Sequence, residues 1–308
     1  MVQANSLVKV IVICGPTGSG KSKLAVELAK ICNGEIISAD SIAIYKGLNI
    51  GAAKPTVEEQ DGVIHHMIDV CAPTLEFSVA DYKEQGRRFI DDVLARGKTP
   101  IICGGTGYYI DALLYDFSYG NCPKSQEFRD ECDKIIADKG CKALHQRLAI
   151  VDPETASILH ENDAMRIVRA LEIYHLTGQR KSEIIDQKTP VYPFKAYSYD
   201  FVREELYQRI NLRVEKMFKE GLIDEIKGLL SSGVTKESQS MQGIGYKEVV
   251  FGLEEGQDEK TMIEAVQQNT RRYAKRQITW FKRLEGIQFI KPTQPVLDAI
   301  RIKEEIYG

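Results

Sequence analysis

The sequence predicts an α/β protein in which a parallel-sheet core is interrupted by a helical insertion domain. Two observations carry this. Short, unbroken apolar runs rich in β-branched residues alternate with stretches of helical spacing through the N-terminal third. Such alternation builds βαβ units around a parallel sheet. From about Asn121 the alternation stops, polar helical segments take over, and a strand-like run then returns. The expected division is a core of residues 1–120 and 195–308, completed by C-terminal helices, and an insertion of residues 121–194.

The elements follow in order. KVIVIC (residues 9–14) is a continuous apolar run, the pattern of a strand buried on both faces. A glycine-rich loop follows, then KSKLAVELAKIC with helical spacing. GEIISAD is a second strand ending at Asp40, VADYKEQGRRFIDDVLARGK an amphipathic helix, and TPIICGG a third buried strand. Inside the insertion, helices are expected to break at Gly140, Pro153 and Gly178. VYPFKAYSYDFV is a strand returning to the core, helices are expected over residues 204–232 and 259–284, and IQFIKP is a last short strand. Active groups of parallel sheets gather at the carboxyl ends of the strands. Gly15, Asp40, Gly104, Gly105 and Thr106 all fall there.

Composition removes several classes. The 308 residues are 43% hydrophobic and 28% charged, enough for one large and one smaller domain. Seven cysteines, an odd number with no C-x-x-C pair, fit a reduced cytoplasm better than a disulfide framework. The first apolar run ends in the glycine loop without a cleavage site, so it is a strand and not a signal peptide. No run approaches the ~20 apolar residues that span a bilayer. A cytoplasmic protein without a membrane partner is expected. With a net charge of −3, a nucleic acid must be met by a local basic surface.

CGPTGSGKSKLA matches G-x-x-x-x-G-K-[ST], with Gly15, Gly20, Lys21 and Ser22 at the fixed places and Pro16, Thr17, Gly18 and Ser19 between them. Following a strand and opening a helix, it makes the core P-loop NTPase-like and nucleotide- or phosphate-binding. Backbone N–H groups of residues 16–22 are expected to face phosphate oxygens. Lys21 adds a point charge, and Ser22 can bind Mg²⁺. Asp40 alone is open between a helix cap, a Mg²⁺-organising acid and a general base. The glycine-punctuated SIAIYKGLNIGAAKPT after it suits a flat ligand. Gly104, Gly105 and Thr106 stand where an ATP-hydrolysing chain would carry an acid, which counts against ATP hydrolysis.

The C-terminal TRRYAKRQITWFKR holds Arg271, Arg272, Lys275, Arg276, Lys282 and Arg283 with no acid. It is either a solvated helix face or a nucleic-acid contact, and its charge density favours the contact. Arg209 and Arg213 share one helix face, either as surface cations or with an arginine reaching a phosphate. SMQGIGYKEV is a glycine-flexed loop before a helix. His65 and His66 form no metal-ligand pattern and are expected to be structural.

GPTGSGKS, DSIAIYKGLNIGAAKPT, GGTGYY, ENDAMRIVRALEIYHLTG, GIGYKE and AKRQITWFKR occur in that order. Together they resemble the bacterial tRNA dimethylallyltransferase family, the tRNA isopentenyltransferases, over nearly the whole chain. The resemblance implies transfer of a dimethylallyl group from dimethylallyl diphosphate to N6 of the adenosine just 3′ of the anticodon. The loop then holds the donor's diphosphate and not ATP. Asp40 matches the general base, Thr106 a threonine near the reacting centre, and Arg213 an arginine on the diphosphate, with Ser22 toward Mg²⁺. Positions matching tRNA contacts are Asp40, Ser41, Ile42 and Ala43; Thr106; Arg129; Met165, Arg166, Ile167, Val168 and Arg169; and Gln242, Gly243, Ile244, Gly245, Tyr246 and Lys247. The insertion matches the part that grips the anticodon stem-loop. Many members carry Gln where this chain has Ala43, so other groups, backbone included, must meet the adenine edge there. A monomer is expected. A prenyltransferase acting on free adenosine phosphates shares this core chemistry, but the insertion and the basic run count against it. An ATP-dependent kinase or ATPase is disfavoured by Gly104, Gly105 and Thr106.

Overall fold

The computed structural model describes residues 8–117, 122–184 and 188–308. Its larger unit is built on six strands: β1 (Val10–Cys14), β2 (Gly34–Ala39), β3 (His65–His66), β4 (Thr99–Gly104), β5 (Phe194–Tyr199) and β6 (Ile287–Ile290). They pair in the order β3-β2-β4-β1-β5-β6, every pair parallel. β1 is buried at every residue, as a central strand covered on both faces requires. On one face Ile11, Ile13 and Ile101 pack with Leu24 and Leu28 of helix Lys21–Ile31 and with Ile302 of helix Pro295–Tyr307.

The α/β expectation holds, with five local differences. β4 lies between β1 and β2, so Asp40 and the phosphate loop are not on neighbouring strands. The turn after β4 bridges them, and Thr106 N–H donates to Ala39 C=O at 3.0 Å. The predicted 204–232 helix is two, Arg203–Lys219 and Leu222–Ser231, parted where Gly221 takes φ +99°. Helix Tyr246–Glu254 starts inside GIGYKE, and helix Pro295–Tyr307 is an additional C-terminal element. β3 is an additional edge strand. His65 and His66 are structural there: His65 Nδ1–H donates to Val63 C=O (2.9 Å) and His66 Nε2–H donates to the Glu35 carboxylate (2.7 Å).

The smaller unit spans Tyr115–Thr189, and the larger takes Met1–Leu114 and Pro190–Gly308. The sequence-based start of the insertion, residue 121, lies outside the described residues. Its end, residue 194, falls later than the observed division. Val191 already belongs to the core, where its N–H donates to Leu114 C=O at 2.8 Å. Helices Gln126–Lys139, Cys141–Val151, Pro153–Ile158 and Ala164–Thr177 make the smaller unit. They enclose an apolar cluster that includes Phe128, Leu144, Leu148, Ile167 and Leu171. Among the described residues, no helix is long and apolar enough to cross a membrane. All seven cysteines are free thiols.

Candidate functional site

The phosphate loop runs from β1 into helix Lys21–Ile31. At Gly18 φ is +79°, and a Cβ would come within 3.1 Å of Ile210, so only glycine fits without strain. The helix starts at Gly20 without a side-chain cap, leaving N-terminal amides to seek other acceptors. Not every loop amide is available, which corrects the expectation for residues 16–22. Pro16 has no N–H, Thr17 N–H donates to Gln277 Oε1 at 3.0 Å, and Ser19 N–H donates to Pro16 C=O at 3.3 Å. The amides of Gly18, Gly20, Lys21 and Ser22 remain. Arg209, exposed on the facing helix, donates from Nε to Gly18 C=O at 2.8 Å and lies over the Phe201 ring. It braces the loop from outside.

Arg213, one turn further on, behaves differently. Its Nε is buried with no hydrogen-bond partner. Burial lowers its pKa, with attraction to Asp40 opposing. Lys21 is lowered for the same first reason; Cys103 and Asp40 pull it up and Arg213 pushes it down. Both cations are thus drawn to Asp40, Arg213 also to Glu59, and the Arg213 charge acts on Lys21.

All three line one cavity of about 420 Å³ in the larger unit. Its charged lining is Lys21, Arg213, Lys247 and Arg276 against the single acid Asp40. Such an excess of positive charge suits a polyanion. Another wall is apolar, from Ile210, Val214, Met217 and Val266. Cationic groups thus adjoin an apolar surface.

Asp40 Oδ1 accepts N–H bonds from Ile42 (2.9 Å) and Ala43 (3.2 Å). The capping role left open in the sequence is therefore real at one oxygen. The other oxygen has no hydrogen-bond partner among the described residues. Thr106 does not line the cavity; its Oγ1 accepts from Ser41 N–H at 3.2 Å and steadies the same turn. Ala43 is 4% exposed. Its N–H goes to Asp40, and its C=O accepts from Asp69 N–H at 3.1 Å. The backbone at this position is therefore already engaged.

The IPP transferase family model matches residues 43–284. The chain belongs to this family. A tRNA dimethylallyltransferase of Bacillus velezensis is 43% identical, covering 97% of this chain and 95% of the relative. One of Geobacillus thermodenitrificans is 42% identical over 96% and 94%. The crystal structure of the full-length tRNA isopentenylpyrophosphate transferase from Bacillus halodurans superposes with a TM-score of 0.72 at 38% identity, covering 97% and 96%. A eukaryotic dimethylallyltransferase captured acting on tRNA gives a TM-score of 0.80 at 32% identity, covering 93% of this chain and 74% of that one.

The remaining predicted positions of this transferase divide by burial. In the 242–247 loop, Gln242 and Lys247 are exposed, Ile244 is half-buried, and Gly243 and Gly245 are buried. Tyr246 is fully buried, so its side chain is a packing post and not a surface contact. Its hydroxyl donates to Glu225 at 2.7 Å and accepts from Ala52 N–H at 3.2 Å. Glu225 also accepts the N–H groups of Asn49, Ile50 and Gly51, holding together two loops that line the cavity. In the smaller unit Met165 and Arg166 project outward, whereas Ile167 and Val168 are core. Arg129 and Arg169 are both tied to the fully buried Glu172. On the basic helix Glu259–Phe281, Ala274, Gln277 and Phe281 form the buried stripe and Lys275 and Arg276 are exposed. Trp280 packs on Tyr108. Glu225 has no local sequence signature. Arg209 was legible as a cation on a helix face, and Gln277 lies inside AKRQITWFKR, but their loop contacts could not be read from sequence because each reaches a loop distant in the chain.

Proposed function

We propose that this transferase moves a dimethylallyl group from dimethylallyl diphosphate to N6 of the adenosine 3′-adjacent to the anticodon in tRNA. The observation that carries the reading is the single cavity in which Lys21 and Arg213, an apolar wall and Asp40 meet. The named activity of the relatives, with near-complete coverage on both sides, supports it.

The adenine amine is a weak nucleophile because its lone pair is delocalised into the ring. As its nitrogen attacks the allylic C1, the C1–O bond breaks and the diphosphate leaves with the bonding pair. Asp40 accepts the amine proton, a contribution of ~10²–10⁴-fold. Lys21, Arg213 and the loop amides meet charge that grows on the diphosphate in the transition state. The apolar wall shields the allyl carbon from water. The target base must leave its stack to reach Asp40.

Mg²⁺ fits as a companion of the diphosphate. Among the described residues no group of three His, Cys, Asp or Glu could hold a metal unaided. Ser22, exposed at the first helical turn, supplies one oxygen. Magnesium commonly takes the rest of its shell from water and substrate phosphates. Bound there, it would neutralise leaving-group charge. Met165, Arg166, Gln242, Lys247, Lys275 and Arg276 are the outward-facing candidates for tRNA contact, on a protein acting as a cytoplasmic monomer.

Labelled dimethylallyl diphosphate, offered with bulk tRNA, with AMP, or with ATP alone, tests the reading. Label is expected in tRNA, with little in AMP and no ATP turnover. Preferential labelling of AMP would replace the proposal with a free-nucleotide prenyltransferase.

A further inference from the structure

Gln277 lies within helix Glu259–Phe281 and is 5% exposed. Its amide bridges two loops. Oε1 accepts Thr17 N–H at 3.0 Å, and Nε2 donates to Gly105 C=O at 2.9 Å. One planar group thus joins the phosphate loop after β1 to the turn after β4, using both its acceptor and its donor.

Two observations give this bridge a direction. The Gly105 turn is shaped around it, since a Cβ there would stand 2.3 Å from Gln277 Nε2. The next residue, Thr106, holds Ser41 N–H through Oγ1 and Ala39 C=O through its own N–H. The linkage therefore runs from the phosphate loop through Gln277 and Thr106 to the turn that carries Asp40. Tyr273, one helical turn earlier, lines the same cavity as Gln277.

We propose that Gln277 is a positioning residue that sets the phosphate loop against the Asp40 turn, so that donor and acceptor groups are in register. This rests on the function proposed above. No charged residue reproduces the pattern, because Gly105 offers an acceptor and Thr17 a donor. An ionised carboxylate would keep the Thr17 bond and repel the Gly105 carbonyl. A protonated carboxyl restores both partners. The charged groups sharing the cavity are Lys21, Asp40, Arg213, Lys247 and Arg276, with the Tyr273 phenol alongside.

The test compares wild type, Gln277→Glu and Gln277→Leu in affinity for inorganic diphosphate, single-turnover prenylation of tRNA, tRNA affinity and Tm. In Gln277→Leu, diphosphate affinity is expected to fall about tenfold and the single-turnover rate up to ~10²-fold, the scale of a small misplacement. tRNA affinity should hold. Gln277→Glu should be similarly impaired near pH 8 and recover relative to wild type as pH falls through the pKa of the introduced carboxyl, which burial raises and Lys21, Arg213 and the Thr17 N–H lower. If Gln277→Leu does not fold, this conservative variant carries the test. Normal diphosphate affinity and rate in a folded variant overturn the proposal, as does a Gln277→Glu defect that is constant with pH. Diphosphate binding needs no acceptor. A wild type that binds diphosphate but does not prenylate tRNA therefore overturns the function proposed above, while a binding loss in Gln277→Leu still supports the bridge.

Discussion

Replacing Asp40 with Asn separates two jobs held by one side chain. As a cap, its Oδ1 accepts the amides of Ile42 and Ala43 at 2.9 and 3.2 Å. Asn retains an acceptor for them, so each bond changes from charge-assisted to neutral. At about 1 kcal/mol per bond, the folded state should lose roughly 1–2 kcal/mol. Asp40→Ala removes the acceptor altogether and should cost about 2–4 kcal/mol. As a base, Asn is useless. The chemical step should slow ~10²–10⁴-fold, equivalent to about 3–5 kcal/mol of transition-state stabilisation. The assay is single-turnover prenylation at saturating donor and tRNA, with thermal unfolding and tRNA affinity measured alongside. An Asp40→Asn protein that is only slightly less stable yet severely slow supports the base. If it prenylates within a few-fold of wild type, Asp40 is merely a cap.

Lys21→Ala and Arg213→Ala should each weaken a non-reactive diphosphate analogue by at least about tenfold, as expected for losing a charged contact, while equilibrium tRNA binding holds; unchanged affinity in Arg213→Ala would make it an ordinary helix cation. In a salt series, Arg276→Ala and Arg166→Ala should each lower the log K against log[salt] slope for tRNA by about one unit; identical slopes would assign both to solvated surface. Burial raises the Glu172 carboxyl, but bonds from Arg129, Arg169 and Ser125 N–H outweigh it and hold the group at about 2. Its contribution to stability is therefore complete above the usual carboxylate range and lost as pH falls toward 2; Glu172→Gln should flatten that acid dependence in a denaturation series. Glu225→Ala strands the amides of residues 49–51 and the Tyr246 hydroxyl and should cost about 2–4 kcal/mol by chemical denaturation; a loss below measurement would show that the two loops are held by packing.

What could be read in advance was local. The runs at residues 9–14, 34–40 and 99–105 announce buried strands because both faces are apolar, and the glycine spacing marks a strand–loop–helix turn. The order of those strands is set by long-range packing, so the place of β4 between β1 and β2 had no sequence signal. The break at Gly221 was masked by good helical spacing on either side, where a glycine can be tolerated. Burial of Tyr246 depends on Glu225, distant in the chain. The same reason hides Gln277, whose partners lie 260 and 172 positions away. Arg129 and Arg169 show another limit: the resemblance placed both at tRNA-contact positions, and their pairing with the buried Glu172 had no signal in the sequence.

The hydrogen bond between Val191 and Leu114 fixes where the larger unit lets go of the chain and takes it up again. The ends of the excursion from Tyr115 to Thr189 are thus stapled side by side within the core. A long loose excursion between such ends would carry a closure entropy that rises only slowly with its length. Excising the excursion and joining the stapled ends with a few flexible residues should therefore leave a foldable larger unit. Evolution could lengthen, trim or exchange the inserted helices with little effect on the sheet and the cavity beside it.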